Sequence, residues 1–320
     1  MTVKTSFESR LRVQRINPNI GAELIGVDLS RPQTADEVAA IETALIDHEV
    51  LLFRGLQDID VDQQIAFARN FGELTIHPFS PNMGDKPEVI VLDNHKDNPP
   101  SLTDQWHSDE TFRDTPPLGT MLLCRITPEI GGDTLFASMT CAYEGLSDRM
   151  QRHIDGLEAI HDFKPFRTLF GDDPAKRAKL REMEDKFPNP THPVVRVHPV
   201  SGRRILNVNP QFTLRIKGMS QPESDALLDF LYDQAKIPDY QLRIRWEPGQ
   251  MAFWDNRATQ HYAVHDYWPQ RRRMERVTLK GDRPFGVEGA ESVGGAKRAA
   301  LRTEGLKAGT GETAARQFER

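Results

Sequence analysis

The first chemical signal in this sequence is a histidine and an aspartate separated by one residue. On an extended strand, residues i and i+2 point to the same side, so such a pair can bind one metal ion. The chain contains three of these pairs: His95 with Asp97, His107 with Asp109, and His153 with Asp155. A non-haem iron(II) centre needs two histidines and one carboxylate on one face of the metal. Each pair is therefore a candidate for two of the three ligands.

The surroundings of the three pairs distinguish them. The pair at His153 falls in a helical pattern, where residues two apart diverge by about 200°, so its side chains are expected at the surface. The pair at His95 lies in a polar run before two prolines, which is typical of a solvated loop. The pair at His107 follows a tryptophan and precedes a Thr-Phe dipeptide, a mixture that favours the edge of a partly buried site.

The third ligand must come from a later part of the chain. His261 and His265 follow the segment that begins at Trp254, and either could be an ordinary polar residue at a strand end. The arginine-rich segment that follows favours His261 as a ligand, because its arginine side chains would add anion-binding groups to the metal site.

That arginine-rich sequence, RRRMER, begins at Arg271. On a strand, Arg272, Met274 and Arg276 share one face. Two inward-facing arginines need anionic partners, since a buried unpaired charge is costly. A dicarboxylate cosubstrate and an anionic substrate would supply those partners through charge-assisted hydrogen bonds. The alternative interpretation is a basic surface patch.

A glycine-rich tetrapeptide, Gly131-Gly132-Asp133-Thr134, is a further candidate for the site. By itself it predicts a tight turn that leads into a strand. If this turn borders the site, the hydroxyl of Thr134 could reach a carboxylate.

The elements that must position these residues are strands near both ends of the chain and helices between them. Apolar patterns predict strands over residues 50–53, 119–126, 243–254 and 272–280, and a strand pair over 20–29. Helical periodicity covers residues 34–46, 61–71 and 223–235, and only 194–197 is predicted as a strand in the middle of the chain. This order indicates an α+β protein built around an antiparallel sandwich or barrel.

The length and composition of the chain limit its possible domain organisation. We expect one domain over residues 1–286 with a helical insertion at about 141–240, and a flexible tail over 287–320, which is poor in large apolar residues. A net charge of −6 gives no reason to expect nucleic acid as a partner, and no apolar run is long enough to span a membrane. With only Cys124 and Cys141, the chain fits a reducing cytoplasm.

These motifs together resemble the taurine dioxygenase and 2,4-dichlorophenoxyacetate dioxygenase family from about Ile20 to Gly286. The stretches that carry the resemblance are Trp106 to Asp109, Gly131 to Thr134, His192 to Val195, Trp254 to Tyr262, and Arg271 to Gly281. The resemblance implies a double-stranded β-helix (jelly-roll) core with helical insertions. It also implies an iron(II)- and 2-oxoglutarate-dependent dioxygenase that uses dioxygen to hydroxylate a small anionic substrate, in a family whose members commonly form oligomers.

The resemblance assigns roles to individual residues. His107, Asp109 and His261 correspond to the iron ligands of the family. Thr134 and Arg272 correspond to the pair that holds the distal carboxylate of 2-oxoglutarate. None of these five positions departs from the family pattern.

For the substrate, the resemblance assigns Arg276 and His77 to the anionic group. Phe166 and Phe212 fall near the aromatic positions of the pocket, although the alignment of Phe166 needs a gap. The hydroxylated carbon would be the one next to the heteroatom of the substrate. Its product would collapse to a carbonyl compound and a released sulfite, sulfate or alcohol.

Two pocket positions depart from taurine dioxygenase. Ser80 stands where that enzyme has a tyrosine, three residues after the substrate histidine, and Thr103 stands where it has an asparagine, four residues before the first iron ligand. Smaller residues leave more room and fewer hydrogen-bond donors. An organosulfonate such as taurine is the first expectation, and an alkyl sulfate or an aryloxyalkanoate is the alternative. The sequence leaves open whether His265 contributes to the pocket.

Two functions of other classes compete with this interpretation. A zinc hydrolase could use the same two histidines and aspartate, but it gives the paired arginines no role. A non-catalytic jelly-roll binding protein would be expected to have lost some of the metal ligands, and all three are present.

Overall fold

The computed structural model describes residues 11–170 and 173–287. The predicted tail, apart from Val287, lies outside the described residues. The α-helices are α1 Ala35–His48, α2 Val61–Ala68, α3 Met139–Glu144, α4 Asp148–Ile154, α5 Pro174–Lys186 and α6 Gln221–Asp233. The strands of the first half are β1 Arg12–Arg15, β2 Ala22–Ile25, β3 Val50–Phe53, β4 Asn82–Met83, β5 Lys86–Asn94, β6 Gly119–Ile126, β7 Thr134–Ser138 and β8 Glu158–His161. Those of the second half are β9 Thr191–Pro193, β10 Val195–Val197, β11 Arg204–Leu206, β12 Thr213–Ile216, β13 Gln241–Ile244, β14 Met251–Asp255, β15 Thr259–Ala263 and β16 Arg272–Leu279.

The largest sheet has eight strands in the order β1-β2-β3-β14-β6-β16-β5-β4. Only β2 and β3 are parallel neighbours, and the other pairs in this sheet are antiparallel. Its central strands β3 and β14 are buried at every position. A continuous apolar run is what a strand covered on both faces requires, which explains the sequence VLLF in β3.

Each face of this sheet is covered by a different layer. One face packs against α1 and α2 in a cluster that contains Ile41 and Phe253. The other face packs against the three-stranded sheet β13-β7-β15 in a cluster that contains Phe136, Trp254 and Met274. Phe253 and Trp254 are consecutive in β14 and point to opposite faces, as the two-residue period of a strand requires. The candidate site lies on the side of Trp254, between the two sheets.

Two predicted strands differ from the structure at glycines. The segment 243–254 is two strands, β13 and β14, because Pro248 and Gly249 interrupt it and Gly249 has a φ of 75°. The predicted strand pair over 20–29 is the single strand β2, whose antiparallel partner is β1. Gly26, with a φ of 94°, ends β2. Positive φ is readily reached only by glycine, so both breaks have a local cause.

The segment between β7 and β13 contains helices α3 to α6, as expected, but also the short strands β8 to β12. These strands form two small sheets, β12-β8-β9 and β10-β11. Strands of three or four residues are too short to leave a periodic signal, which explains why only 194–197 was predicted. Within residues 11–170 and 173–287, no helix has the length and apolar character needed to cross a bilayer.

Candidate active site

Two chain segments bring His107 and His261 together. They are backbone partners in an antiparallel bridge, in which His107 N donates to His261 O (3.1 Å) and His261 N donates to His107 O (2.8 Å). Side chains of directly opposite residues lie on the same face of a β-ladder. The two imidazole rings are therefore adjacent, with their centroids 4.1 Å apart.

Asp109 completes a cluster of three buried ligand atoms. Its Oδ1 lies 3.9 Å from His107 Nε2 and 3.8 Å from His261 Nε2, and the three ligand atoms lie within 4.8 Å of one another. This spacing allows all three to bind one ion. Among the described residues, this is the group of histidine, cysteine or acidic side chains whose geometry could hold a metal. Two histidines and one carboxylate form the donor set that suits iron(II) in an oxygenase.

The protonation of the cluster also fits a metal. His107 Nδ1 lies 2.7 Å from the carbonyl oxygen of Gln105, which places its proton on Nδ1 and leaves Nε2 as a free donor atom. Burial lowers the pKa of His107 and His261, so both rings are neutral. Burial alone would raise the pKa of Asp109, but the charge of Arg276 and the hydrogen bond from Thr120 hold it below its usual value. The cluster therefore presents two neutral imidazoles and one carboxylate.

Asn256 and Thr120 hold Asp109 in place. Asn256 Oδ1 accepts a hydrogen bond from Asp109 N (2.6 Å), and Asn256 Nδ2 donates to Asp109 O (3.0 Å). The hydroxyl of Thr120 donates to Asp109 Oδ2 (2.9 Å), which leaves Oδ1 directed at the histidines. Neither residue was predicted from the sequence. The sequence signal was the position of Asn256 inside the segment from Trp254 to His261.

Arg272 and Thr134 form a buried cationic site beside the cluster. Arg272 Nε donates to Gly132 O (3.0 Å), and its Nη2 lies 3.4 Å from Thr134 Oγ1. Arg272 is 5% exposed, and among the described residues it has no acidic partner within 4.0 Å. Burial lowers the pKa of this guanidinium. A buried arginine without a counterion is a site for an anion.

Arg276 and His77 form a second group of donors. Arg276 Nη2 lies 3.0 Å from Asp109 Oδ1, and its Nε donates to Thr278 Oγ1 (3.1 Å). His77 Nδ1 accepts a hydrogen bond from Phe79 N (3.1 Å), so its neutral ring carries the proton on Nε2. Burial, reinforced by Arg276, lowers the pKa of His77 to about 3. His77 is thus a neutral donor beside a cation.

A cavity of about 290 Å³ connects these groups. The predicted residues all line it: His107, Asp109, His261, Thr134, Arg272, Arg276, His77, Ser80, Thr103, Phe166 and Phe212. His265 also lies in its wall, where His265 Nε2 is 2.9 Å from Thr103 Oγ1. The other two His-x-Asp pairs are outside it: Asp97 and His153 are exposed, as expected.

The acidic groups in the described wall of the cavity already have partners. Asp93 lies 2.7 Å from Arg271 and 3.2 Å from Arg273, and Glu110 lies 2.6 Å from Arg113. Asp109 belongs to the group of three candidate metal ligands, with His107 and His261. Besides cationic and apolar surface, the cavity wall contains neutral polar side chains such as Ser80, Asn98 and Gln211. Each carboxylate among its described residues lies beside an arginine.

His192 supports the segment that follows Asp109. Its Nε2 donates to Thr111 O (3.0 Å) and Arg113 O (2.9 Å), and its buried Nδ1 has no hydrogen-bond partner among the described residues, so burial favours the neutral ring. Burial lowers the pKa of His192 to about 4. In the unfolded chain the value is near 6.5, so between these two values the unfolded state binds more protons. The contribution of His192 to the free energy of unfolding is therefore fully present above pH 6.5 and is lost as the pH falls toward 4.

We expect the free energy of unfolding of the His192→Gln variant to fall less on acidification than that of the wild type. The difference in urea-measured unfolding free energy between pH 7 and pH 5 should shrink by about 1–2 kcal/mol, since one group that binds a proton on unfolding has been removed. His153→Gln, at an exposed position, is the matched control and should retain the wild-type difference. An unchanged pH dependence in His192→Gln would show that this ring does not contribute.

The comparisons with known proteins agree with this geometry. A family model described as "Taurine catabolism dioxygenase TauD, TfdA family" matches residues 12–278. The chain belongs to this family and is a 2-oxoglutarate-dependent dioxygenase, an oxidoreductase that uses iron(II) as its metal. The family predicted from the motifs is thereby confirmed.

Individual relatives act on sulfur-containing substrates. An alpha-ketoglutarate-dependent sulfate ester dioxygenase of Pseudomonas putida is 39% identical over 87% of this chain and 92% of its own length. An alkylsulfatase of Acinetobacter baylyi is 34% identical over 88% of each chain. The crystal structure of a taurine dioxygenase from Burkholderia xenovorans has a TM-score of 0.75 and 36% identity, and covers 88% of this chain and 94% of that one.

Proposed function

We propose that this enzyme hydroxylates the carbon next to the ester oxygen of an alkyl sulfate. In this proposal His107, Asp109 and His261 bind the iron, and Thr134 and Arg272 bind the distal carboxylate of 2-oxoglutarate. The two facing sheets form a double-stranded β-helix core around these residues. Two observations support that fold: the mixed α and β architecture, and the packing of the large sheet against helices on one face and against the sheet β13-β7-β15 on the other.

Arg276 and His77 bind the sulfate group in this proposal. Arg276 supplies charge and His77 supplies a neutral N–H, since burial lowers the pKa of its ring to about 3. A charged donor and a neutral donor together can hold a sulfate over the whole physiological pH range. Bound in this way, the anion fixes the adjacent carbon at a constant distance from the metal cluster.

When iron(II) is bound, oxidation of 2-oxoglutarate by dioxygen to succinate and carbon dioxide supplies the oxidant for the substrate C–H bond. The hydroxylated carbon then carries both a hydroxyl and a sulfate ester. This product loses sulfate and becomes an aldehyde, so each succinate is accompanied by one inorganic sulfate. The protein residues need only hold the anion and exclude water from the site.

The single observation that carries the choice of substrate is the character of the cavity wall. Apart from the anion-binding groups, the wall includes Phe79, Leu102, Phe166, Leu169 and Phe212, which suit an alkyl chain. An aminosulfonate such as taurine carries an ammonium group, and a buried ammonium is stabilised best by an anionic partner. The three carboxylates in the described wall are already paired or belong to the metal cluster.

The second candidate is an organosulfonate, which the sequence analysis placed first. Its sulfonate would occupy the same position as the sulfate on Arg276 and His77. The similarity to a taurine dioxygenase structure favours this class. The apolar wall then favours a longer alkanesulfonate over taurine itself.

The test is succinate formation in the presence of iron(II), 2-oxoglutarate and oxygen, with alkyl sulfates, alkanesulfonates and aryloxyacetates of graded length, and with taurine. We expect the highest kcat/KM for an alkyl sulfate of intermediate length, and sulfate release that matches succinate. A preference for taurine over all alkyl sulfates would contradict the proposed substrate but not the reaction class. A preference for an alkanesulfonate would support the second candidate.

Phe166 should determine the preferred chain length. Its ring lies 4.9 Å from Phe79 and 6.0 Å from Phe212, measured between centroids, so it occupies space that an alkyl chain could take. We expect Phe166→Ala to shift the optimum in kcat/KM toward longer alkyl sulfates and to lower the rate with short ones by about tenfold, through lost apolar contact. Phe230→Ala, at a 43% exposed position on α6, is the control. An unchanged chain-length profile would contradict the proposed contact between Phe166 and the alkyl chain.

A further inference from the structure

The side chain of Thr134 has two hydrogen-bond donors directed at its oxygen. Trp246 Nε1 donates to Thr134 Oγ1 at 2.9 Å, and Arg272 Nη2 lies 3.4 Å from the same atom. A hydroxyl oxygen has two lone pairs and carries one proton. The two donors therefore occupy its acceptor positions, and its proton is left to donate elsewhere.

The hydroxyl proton of Thr134 has no protein acceptor among the described residues. The residue lines the cavity. Thr134 is only 2% exposed, so bulk water cannot readily satisfy it. A buried hydroxyl that is fixed as a donor suits an anionic oxygen in the cavity.

Trp246 lies outside the cavity wall and reaches this site through Thr134. Strand β13 pairs with β7 so that Ile244 is opposite Thr134, and Trp246 follows two residues later on the same chain. Its ring is 4% exposed and packs in the apolar cluster between the sheets. Its centroid is also 6.0 Å from the guanidinium carbon of Arg272, and Tyr267 lies at 5.9 Å from that carbon. One indole thus contacts both members of the proposed carboxylate site.

We infer that Trp246 is a positioning residue for 2-oxoglutarate, because its indole N–H fixes the Thr134 hydroxyl as a donor to the distal carboxylate. Tryptophan is suited to this role since its N–H can only donate and cannot compete for the carboxylate. The aromatic face beside Arg272 also holds the guanidinium in place. The inference rests on the proposed role of Thr134 and Arg272.

The test is the dissociation constant of 2-oxoglutarate, measured by calorimetry without oxygen on the iron(II)-loaded protein. Trp246→Phe keeps an aromatic ring and removes the N–H. We expect it to raise this constant about threefold to tenfold, and Thr134→Val to raise it about tenfold, since hydrogen bonds to charged groups contribute more than neutral ones. At saturating 2-oxoglutarate, the KM for the best alkyl sulfate should not change in Trp246→Phe. Trp268→Phe, at a 51% exposed position, is the matched control.

The double variant separates a role through Thr134 from a role in packing. If the indole acts through the hydroxyl, Trp246→Phe should have no further effect in the Thr134→Val background. Thr134→Ser, which keeps a hydroxyl, should retain both the affinity and the sensitivity to Trp246→Phe. Thermal unfolding of each variant checks whether the fold is kept.

The outcomes distinguish this inference from the proposed function. An effect of Thr134→Val without an effect of Trp246→Phe would overturn the role of Trp246 alone. Additive effects in the double variant would also overturn it, because the indole would then act independently of the hydroxyl. If Thr134→Val itself left the affinity unchanged, the proposed role of Thr134 would be wrong, and the role of Trp246 with it.

Discussion

Replacing Asp109 by alanine is expected to abolish iron(II) binding and succinate formation together. Asp109 is the only carboxylate in the described metal cluster, and its Oδ1 lies within 4 Å of Nε2 in both His107 and His261. Two imidazoles alone leave the ion without the charged ligand of the facial triad. Since loss of a group that merely supports a metal ligand costs about 10–100-fold in affinity or activity, loss of the ligand itself should cost more.

Asp97→Ala is the matched control for this experiment. Asp97 belongs to another His-x-Asp pair, but it lies in an exposed turn. Equilibrium dialysis should show one iron(II) per chain in the wild type and in Asp97→Ala, and none in Asp109→Ala at the same metal concentration. Circular dichroism and thermal unfolding check whether the variants are folded. Full iron binding by folded Asp109→Ala would refute the proposed ligand set.

Replacing Arg276 by glutamine is expected to lower kcat/KM for the anionic substrate by about tenfold to a hundredfold, because charge-assisted hydrogen bonds to the anion are lost. Arg276 is the charged member of the proposed substrate site, and His77 is neutral. The loss should appear mainly in KM, since the contact exists in the ground state as well as in the transition state. The dissociation constant of 2-oxoglutarate should not change, because its distal carboxylate is assigned to Arg272 and Thr134.

Arg273→Gln is the control on the same strand. Arg273 points to the opposite face of β16, where it lies 3.2 Å from Asp93 and 3.3 Å from Glu275. Steady-state kinetics with the best alkyl sulfate should show a large increase in KM for Arg276→Gln and a small one for Arg273→Gln. If Arg276→Gln weakened 2-oxoglutarate binding instead, the two arginines would have been assigned to the wrong anions.

The parts of the site that depend on local periodicity could be predicted from sequence. The two-residue period of β16 placed Arg272 and Arg276 on one face, and the spacing of His107 and Asp109 identified two of the cluster residues. The choice between His261 and His265 as the third metal ligand could not be made from local periodicity. It depends on the pairing of His261 with His107, which are 154 residues apart in the chain. Local pattern contains no information about that register, so the resemblance to a family was needed.

The residues that hold the site in place were not predicted for the same reason. Asn256 contacts Asp109 across 147 residues of sequence, and Trp246 contacts Thr134 across 112. Asn256 lies inside a segment that carries the family resemblance, but nothing in the local pattern indicates its contact with Asp109, and Trp246 has no local signature at all. Of the apolar cavity wall, only Phe166 and Phe212 were expected, and those from the family resemblance. Phe79, Leu102 and Leu169 come from separate segments that meet only in the folded chain, so no local pattern indicated them.

The most direct test of the whole account measures succinate and inorganic sulfate in one reaction with the best alkyl sulfate, with and without oxygen. A dioxygenase acting next to the ester oxygen predicts that the two products form in a ratio of one to one. It also predicts that both disappear when oxygen, iron(II) or 2-oxoglutarate is withheld. Sulfate release that continues without oxygen and without succinate would mean hydrolysis of the ester, and it would contradict the proposed reaction at this site.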